Sequence, residues 1–225
     1  PISQMFCRAT RQIFSLRCTS GRVFGTVHAR FYASKCGKCS QEIENKWFCK
    51  SCKLLQVPDT NYFDLMECEK SFDQPHDLNK QYIKLQKQIH PDGFHSHGED
   101  VVRQAEKISA VLSNAYSALK DPVERSKYLL ELQGIEYGED IPAPAPEFLM
   151  EVMEIREEIE STDDHERLRS LQGNLGEKKV EMLAEMSTCY KESPLDTEKA
   201  IDLTSRLVYT NKLLKAIYDR LPSDQ

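Results

Sequence analysis

The sequence predicts an all-α protein: a helical hairpin and a C-terminal three-helix bundle, joined by a proline-rich linker and preceded by a small tetracysteine knuckle. Three observations carry this. From Tyr62 onward, apolar residues recur three and four apart, the period of one helix face, and no β alternation appears after the cysteine region. Prolines, glycines and acidic caps cut that pattern into segments of helix length. Two Cys-x2-Cys pairs come before it. A chain of 225 residues, 29% charged and 40% hydrophobic, is long enough for one or two compact domains and a tail. It has no apolar run of about 18 residues, so no bilayer-spanning helix is expected.

The first 35 residues differ from the rest. They hold Arg8, Arg11, Arg17, Arg22, Arg30 and Lys35 among serines and threonines, and the first acid is Glu42. Such an Arg-rich, acid-free leader has the composition of an organellar transit peptide, whereas a secretory signal needs an apolar core of about 7–15 residues. Arg30-Phe31-Tyr32 before Ala33-Ser34 resembles a mitochondrial matrix-protease site. Residues 1–32 are therefore expected to be a presequence cut near Tyr32, with a basic tail for an acidic partner as the alternative. Cleavage removes five of the 30 basic residues and leaves 25 against 36 acids, a formal charge of −11. A body that acidic is a poor ligand for phosphate backbones, so nucleic acid is excluded as the expected partner.

Residues 33–57 contain Cys36, Cys39, Cys49 and Cys52, with nine residues between the two pairs. Paired thiolates at this spacing converge into a tetrahedral site, the geometry of structural zinc, and leave no open position for catalysis. Two disulfides, or a redox-active pair, are the alternatives. Metal binding and folding are coupled where the ligands sit, so the knuckle is expected to melt on its own. Cys68 and Cys189 read as packed thiols.

Residues 58–133 hold the hairpin. Tyr62 to Met66 supplies a short helix, and a longer one runs from Asp77 to Ile89. On a helical wheel Leu78, Tyr82, Leu85 and Ile89 cluster at about 140–200° from Lys80, while Lys84 and Lys87 lie within about 40° of it. An apolar stripe thus faces a partner helix and a lysine row faces water. Pro91 stops the helix and leaves His90 and Asp92 at an exposed bend. Val101, Ala105, Ile108, Leu112, Ala115 and Leu119 give the returning helix. His90, His95 and His97 with Asp92 invite a metal reading, but a loop bounded by Gly93 and Gly98 offers nothing to preorganise them. A last helix, Pro122 to Gln133, is closed by Gly134.

The ordered set Tyr62-Phe63, a lysine-faced helix, His90-Pro91-Asp92, Asn114-Ala115-Tyr116 and Asp121-Pro122 with Arg125 resembles a J-domain over some 70 residues. The resemblance implies that the tripeptide stimulates ATP hydrolysis by a DnaK-type heat-shock chaperone, with Lys80, Lys84 and Lys87 on the chaperone-binding face. Gly93-Phe94-His95 stands where aromatic or basic residues are usual, which loosens the loop but leaves the tripeptide intact.

Residues 134–146, with Pro142, Pro144 and Pro146, read as a semi-rigid linker. Residues 147–225 then give three helices: 147–160, one from Asp163 or Asp164 to Tyr190 that Gly173 and Gly176 weaken, and one capped by Ser193-Pro194 and running to Leu221. Phe148, Val152, Ile155 and Ile159 form the core stripe of the first. Ala200, Leu203, Leu207, Leu214, Ile217 and Leu221 form that of the third. Leu149, Met150 and Met153 fall about 90–190° from the first stripe, beside Glu154 and Glu157, and Tyr209 falls about 125° from the other. Exposed apolar residues rimmed with acid are the composition of a protein-docking surface; incidental exposure is the alternative.

The run Phe148 to Glu157, placed after a J-domain and a proline-rich linker, resembles the HscB family of iron–sulfur cluster co-chaperones, whose mitochondrial animal forms carry an N-terminal tetracysteine site. That resemblance implies a scaffold-binding role for Leu149, Met150, Met153, Glu154, Glu157 and Tyr209, with an IscU-type cluster scaffold as second partner. It also implies a protein of the mitochondrial matrix, with the cytoplasm as a further location, that activates another protein's ATPase and is not an enzyme itself. A general J-domain co-chaperone with other clients is the alternative. A zinc-dependent oxidoreductase or nucleic-acid adaptor would use the cysteines alone.

Overall fold

The computed structural model describes residues 61–135 and 142–222, with Cys36, Cys39, Gln41, Trp47, Cys49, Ser51, Cys52 and Leu55 from the cysteine region. The presequence with its expected cut near Tyr32, the rest of the cysteine region and residues 136–141 of the linker lie outside the described residues. Among those described are seven α-helices and no strand: α1 (Tyr62–Leu65), α2 (Leu78–Ile89), α3 (Glu99–Lys120), α4 (Pro122–Glu131), α5 (Pro146–Ser161), α6 (His165–Cys189) and α7 (Thr197–Arg220).

Caps explain where the helices begin. A helix start leaves backbone N–H groups without partners, and short carboxylate or amide side chains accept from them. Asn61 does so for α1, Asp121 for α4 ahead of Pro122, and Asp164 for α6. The third bundle helix starts later than expected. Its cap is Asp196, which accepts from the Lys199 N–H at 3.0 Å, and Ser193-Pro194 instead forms a cis peptide before it. The carboxylate outcompetes the serine because it accepts with a full charge at the positive end of the helix. Gly173 and Gly176 do not interrupt α6. A Cβ at either would meet nothing within 4 Å, so both lie on an open face, and their cost of about 1 kcal/mol each is offset by buried Leu168, Leu171 and Leu175. Helix α4 ends at Glu131, not Gln133: Gly134 adopts φ +84°, and the Ile135 N–H turns back to the Leu130 carbonyl at 3.1 Å.

Helices α2 and α3 form the expected antiparallel hairpin. Buried Leu78, Leu85 and Ile89 meet Ala105, Ile108, Leu112 and Ala115. Polar pairs fix the register: Gln86 donates to Ser109 at 2.6 Å, Tyr82 and Ser113 hydroxyls lie 3.2 Å apart, and the Tyr82 and Tyr116 rings stack at 4.4 Å. Helix α1 and α4 close the hairpin, with Tyr62 and Tyr128 stacked at 4.3 Å. The Tyr128 hydroxyl oxygen accepts from the Tyr62 N–H at 2.8 Å, and burial pushes its pKa up to about 12.

The long helices α6 and α7 serve two cores. Leu168, Leu171 and Leu175 of α6 join Leu213 and Ile217 of α7 and Val152 and Ile159 of α5. Leu213 is a core position the sequence pattern missed, whereas Leu214 is only half-buried. At the other end, Met186, Cys189, Ala200, Leu203 and Leu207 belong to the hairpin core. A polar seam reinforces this junction: the Ser126 hydroxyl lies 2.6 Å from that of Thr204 and 2.7 Å from that of Tyr190, whose ring stacks on Phe72 at 5.1 Å. Arg125, 4% exposed, donates to the carbonyls of Phe72 at 2.6 Å and Leu119 at 2.5 Å, tying the turn before α2 to the end of α3. Burial lowers its guanidinium pKa, with Asp121 and Asp73 opposing.

The cysteine region contributes side chains to the hairpin's interior. Trp47 and Leu55 are each 3% exposed and lie in the same continuous core as Phe63, Leu65 and Phe72.

Candidate functional site

Helix α2 ends because Pro91 forces His90 out of helical geometry, to φ −59° and ψ 130°. His90 then caps the next turn: its Nδ1 accepts from the Asp92 N–H at 3.3 Å. Residues Pro91–His97 form a 3-10 turn rather than an open loop. His90 and Asp92 are 53% and 77% exposed, and the Asp92 carboxylate lies 3.4 Å from His90 Nδ1 and 3.5 Å from His95 Nε2. The tripeptide is thus held by backbone geometry while its two polar side chains face water.

Lys80, Lys84 and Lys87 are exposed on one side of α2. Lys80 pairs with Asp77 at 2.9 Å, and that hydrogen bond raises the lysine pKa and lowers the carboxyl's. The sequence reading passed over Ile83, which is 45% exposed. Its wheel position, about 60° from Lys80, already sets it within the lysine row.

On α5, Met150 and Met153 are 59% and 70% exposed. Glu154 and Glu157 are exposed beside them, whereas Leu149 is half-buried. Tyr209 of α7 packs half-buried against the core that contains Val152, with Lys212 Nζ 5.0 Å from its ring centre. One turn earlier, the Arg206 guanidinium covers Phe148 at 5.4 Å. The contact between α5 and α7 therefore brings Tyr209 to the helix that carries the methionines.

The cysteines converge. The Sγ atoms of Cys36, Cys39, Cys49 and Cys52 lie within 4.8 Å of one another, with Cys36–Cys52 at 3.5 Å and Cys39–Cys49 at 3.6 Å. Four sulfurs about 2.3 Å from a tetrahedral ion stand about 3.8 Å apart, so the set is of the size and chemistry that holds a metal such as zinc. Backbone hydrogen bonding from Cys52 lowers the Cys49 thiol pKa, favouring the thiolate a metal needs. No disulfide joins any of the six described cysteines.

Residues 61–128 match the DnaJ domain family model, and residues 144–218 match the model described as HSCB C-terminal oligomerisation domain. The hairpin with its exposed His-Pro-Asp bend and the bundle behind it are those of a J-type co-chaperone. The iron-sulfur cluster co-chaperone protein HscB of Mus musculus is 31% identical over 194 residues, 82% of each chain. The mitochondrial J-type co-chaperone jac1 of Schizosaccharomyces pombe is 38% identical over 63% of this chain and 62% of its own. The crystal structure of human co-chaperone protein HscB superposes with a TM-score of 0.74 at 28% identity, covering 82% of this chain and 96% of that one. The chain belongs to the HscB family, whose members are co-chaperones rather than enzymes. No described helix is long and apolar enough to cross a membrane.

Proposed function

We propose that this chain couples a DnaK-type heat-shock chaperone to an IscU-type iron–sulfur cluster scaffold and stimulates the chaperone's ATP hydrolysis. The observation that carries this reading is the sharing of α6 and α7 between two cores, one holding the α2–α3 hairpin and the other holding α5. Two weak interfaces on one rigid body raise the effective concentration of client and chaperone for each other. His90, Pro91 and Asp92 engage the chaperone, and Lys80, Lys84 and Lys87 attract an acidic surface on it. Met150 and Met153 with the outer part of Leu149 form the apolar centre of the scaffold site. Glu154 and Glu157 form its rim, and Tyr209 its flank.

Cys36, Cys39, Cys49 and Cys52 hold a structural zinc, which supplies folding energy and no catalytic position. The acid-free leader, removed within residues 1–32, directs the protein to the mitochondrial matrix. The knuckle then occupies 33–57, the J-domain 58–133, the linker 134–146 and the scaffold-binding bundle 147–225. The test is a pull-down of the scaffold with the full chain and with a variant altered on the α5 patch, alongside steady-state ATP turnover by the chaperone. Capture by the wild type but not the patch variant, with chaperone stimulation in both, is the expected result. Equal capture by both would return the reading to a J-domain co-chaperone with other clients.

A further inference from the structure

The tetracysteine segment is too short to bury a core of its own. Segments of this size stay ordered only through a cross-link or by borrowing a neighbour's interior. This one does both. Trp47 stands two residues before Cys49 and Leu55 three residues after Cys52, so each is tied to a metal ligand by at most about 11 Å of chain. Both side chains are 3% exposed, and both lie in the continuous core that contains Phe63, Leu65, Met66 and Phe72. That core also holds Leu85 and Ile89 of α2, the last turn before His90. The metal ligands and the two apolar plugs are therefore successive points on one short thread.

We infer that metal occupancy at Cys36, Cys39, Cys49 and Cys52 keeps Trp47 and Leu55 seated in the J-domain core, so that the stability of the hairpin carrying His90-Pro91-Asp92 depends on the metal. The inference rests on the zinc reading above. Without the ion, four thiols no longer close the two loops. The chain between them regains its conformational freedom, and the entropy it gains works against keeping the plugs buried. The hairpin then loses two large side chains from its interior, the equivalent of a core truncation.

Trp47 is the sole tryptophan, so its emission reports this contact alone. The experiment uses the full chain under reducing conditions, loaded with zinc chloride and then stripped with a chelator, with native mass spectrometry to count the ion. The expected result is a red shift of tryptophan emission on stripping. With it should come a fall of roughly 5–15 °C in the unfolding midpoint of the helical signal, the size that losing large core side chains produces in a chain of this length. Both changes should reverse on adding zinc. In a Trp47→Ala variant the midpoint should be lower with zinc present and should fall less on stripping, because the plug it would release is already gone. If stripping shifts the emission but leaves the helical midpoint unchanged, the knuckle melts alone and the inference is wrong. It is equally wrong if neither signal moves. If the mass shows no zinc taken up, the metal reading itself fails and the inference falls with it.

Discussion

Replacing Met150 and Met153 together with alanine separates docking from folding better than any other change on α5. Fully burying a methionine side chain contributes about 1.5–3 kcal/mol. With 59% and 70% of these residues still exposed, roughly two-thirds of that remains available to a partner, or about 1–2 kcal/mol each. The pair should therefore weaken scaffold binding by about 2–4 kcal/mol, or roughly 1.5 to 3 decades in Kd. The fold should be unaffected to within about 0.5 kcal/mol, since both sites are exposed and alanine is at least as good a helix former. Leu149 is excluded from the test because it is half-buried, and its truncation would mix lost packing with lost binding. Calorimetric titration of the scaffold into each variant measures the affinity, and a urea unfolding curve checks the fold. An affinity within twofold of wild type would show the methionines to be ordinary surface. A loss of affinity accompanied by a loss of stability would mean that they belong to the core.

His90→Gln should abolish stimulation of the chaperone ATPase while moving stability by at most about 0.5 kcal/mol, because the side chain is 53% exposed at a bend; steady-state turnover reads it, and equal stimulation would discard the role given to the tripeptide. Arg125→Leu should cost about 2–5 kcal/mol in urea unfolding, since the carbonyls of Phe72 and Leu119 would lose their buried donor. Tyr128 titrates near 12 in the folded chain against an ordinary 10.0, so its contribution is complete below pH 10 and is lost as the pH rises through 12. Over that window it should add at most about 1.4 kcal/mol per pH unit to the alkaline fall in stability, a component absent from a Tyr128→Phe variant.

What the sequence made legible follows from the range of the forces involved. The stripe on α2, the exposed lysines and the break at Pro91 are set by residues within a turn of one another, and periodicity alone finds them. The same holds for the caps at Asp121 and Asp164, where one acid stands against a clear helix start. Where two caps compete within four residues, as at Ser193 and Asp196, the pattern gives no ranking and the boundary slipped. Gly173 and Gly176 looked like breaks because propensity is local, whereas the leucines that hold α6 together act through α5 and α7. The seam was beyond reach for a related reason: Ser126 meets Tyr190 and Thr204, which lie 64 and 78 positions away in the chain. Nothing in the composition of the knuckle says that Trp47 is buried in the core the hairpin helices share. The half-burial of Leu149 was missed because a wheel ranks directions on one helix and knows nothing of its neighbour.

The two long helices also act as a protractor. The first core grips α6 near Met186 and α7 near Leu203, and the second grips them near Leu171 and Leu213. The angle between the tripeptide and the methionine face is therefore written in the number of residues between those grips, at about 100° and 1.5 Å per residue. A single residue inserted into both helices between the cores would swing one face a quarter-turn or more around the other without altering a side chain in either. The length of these two stretches thus sets how the tripeptide and the methionine face are held relative to one another as much as any residue in either face.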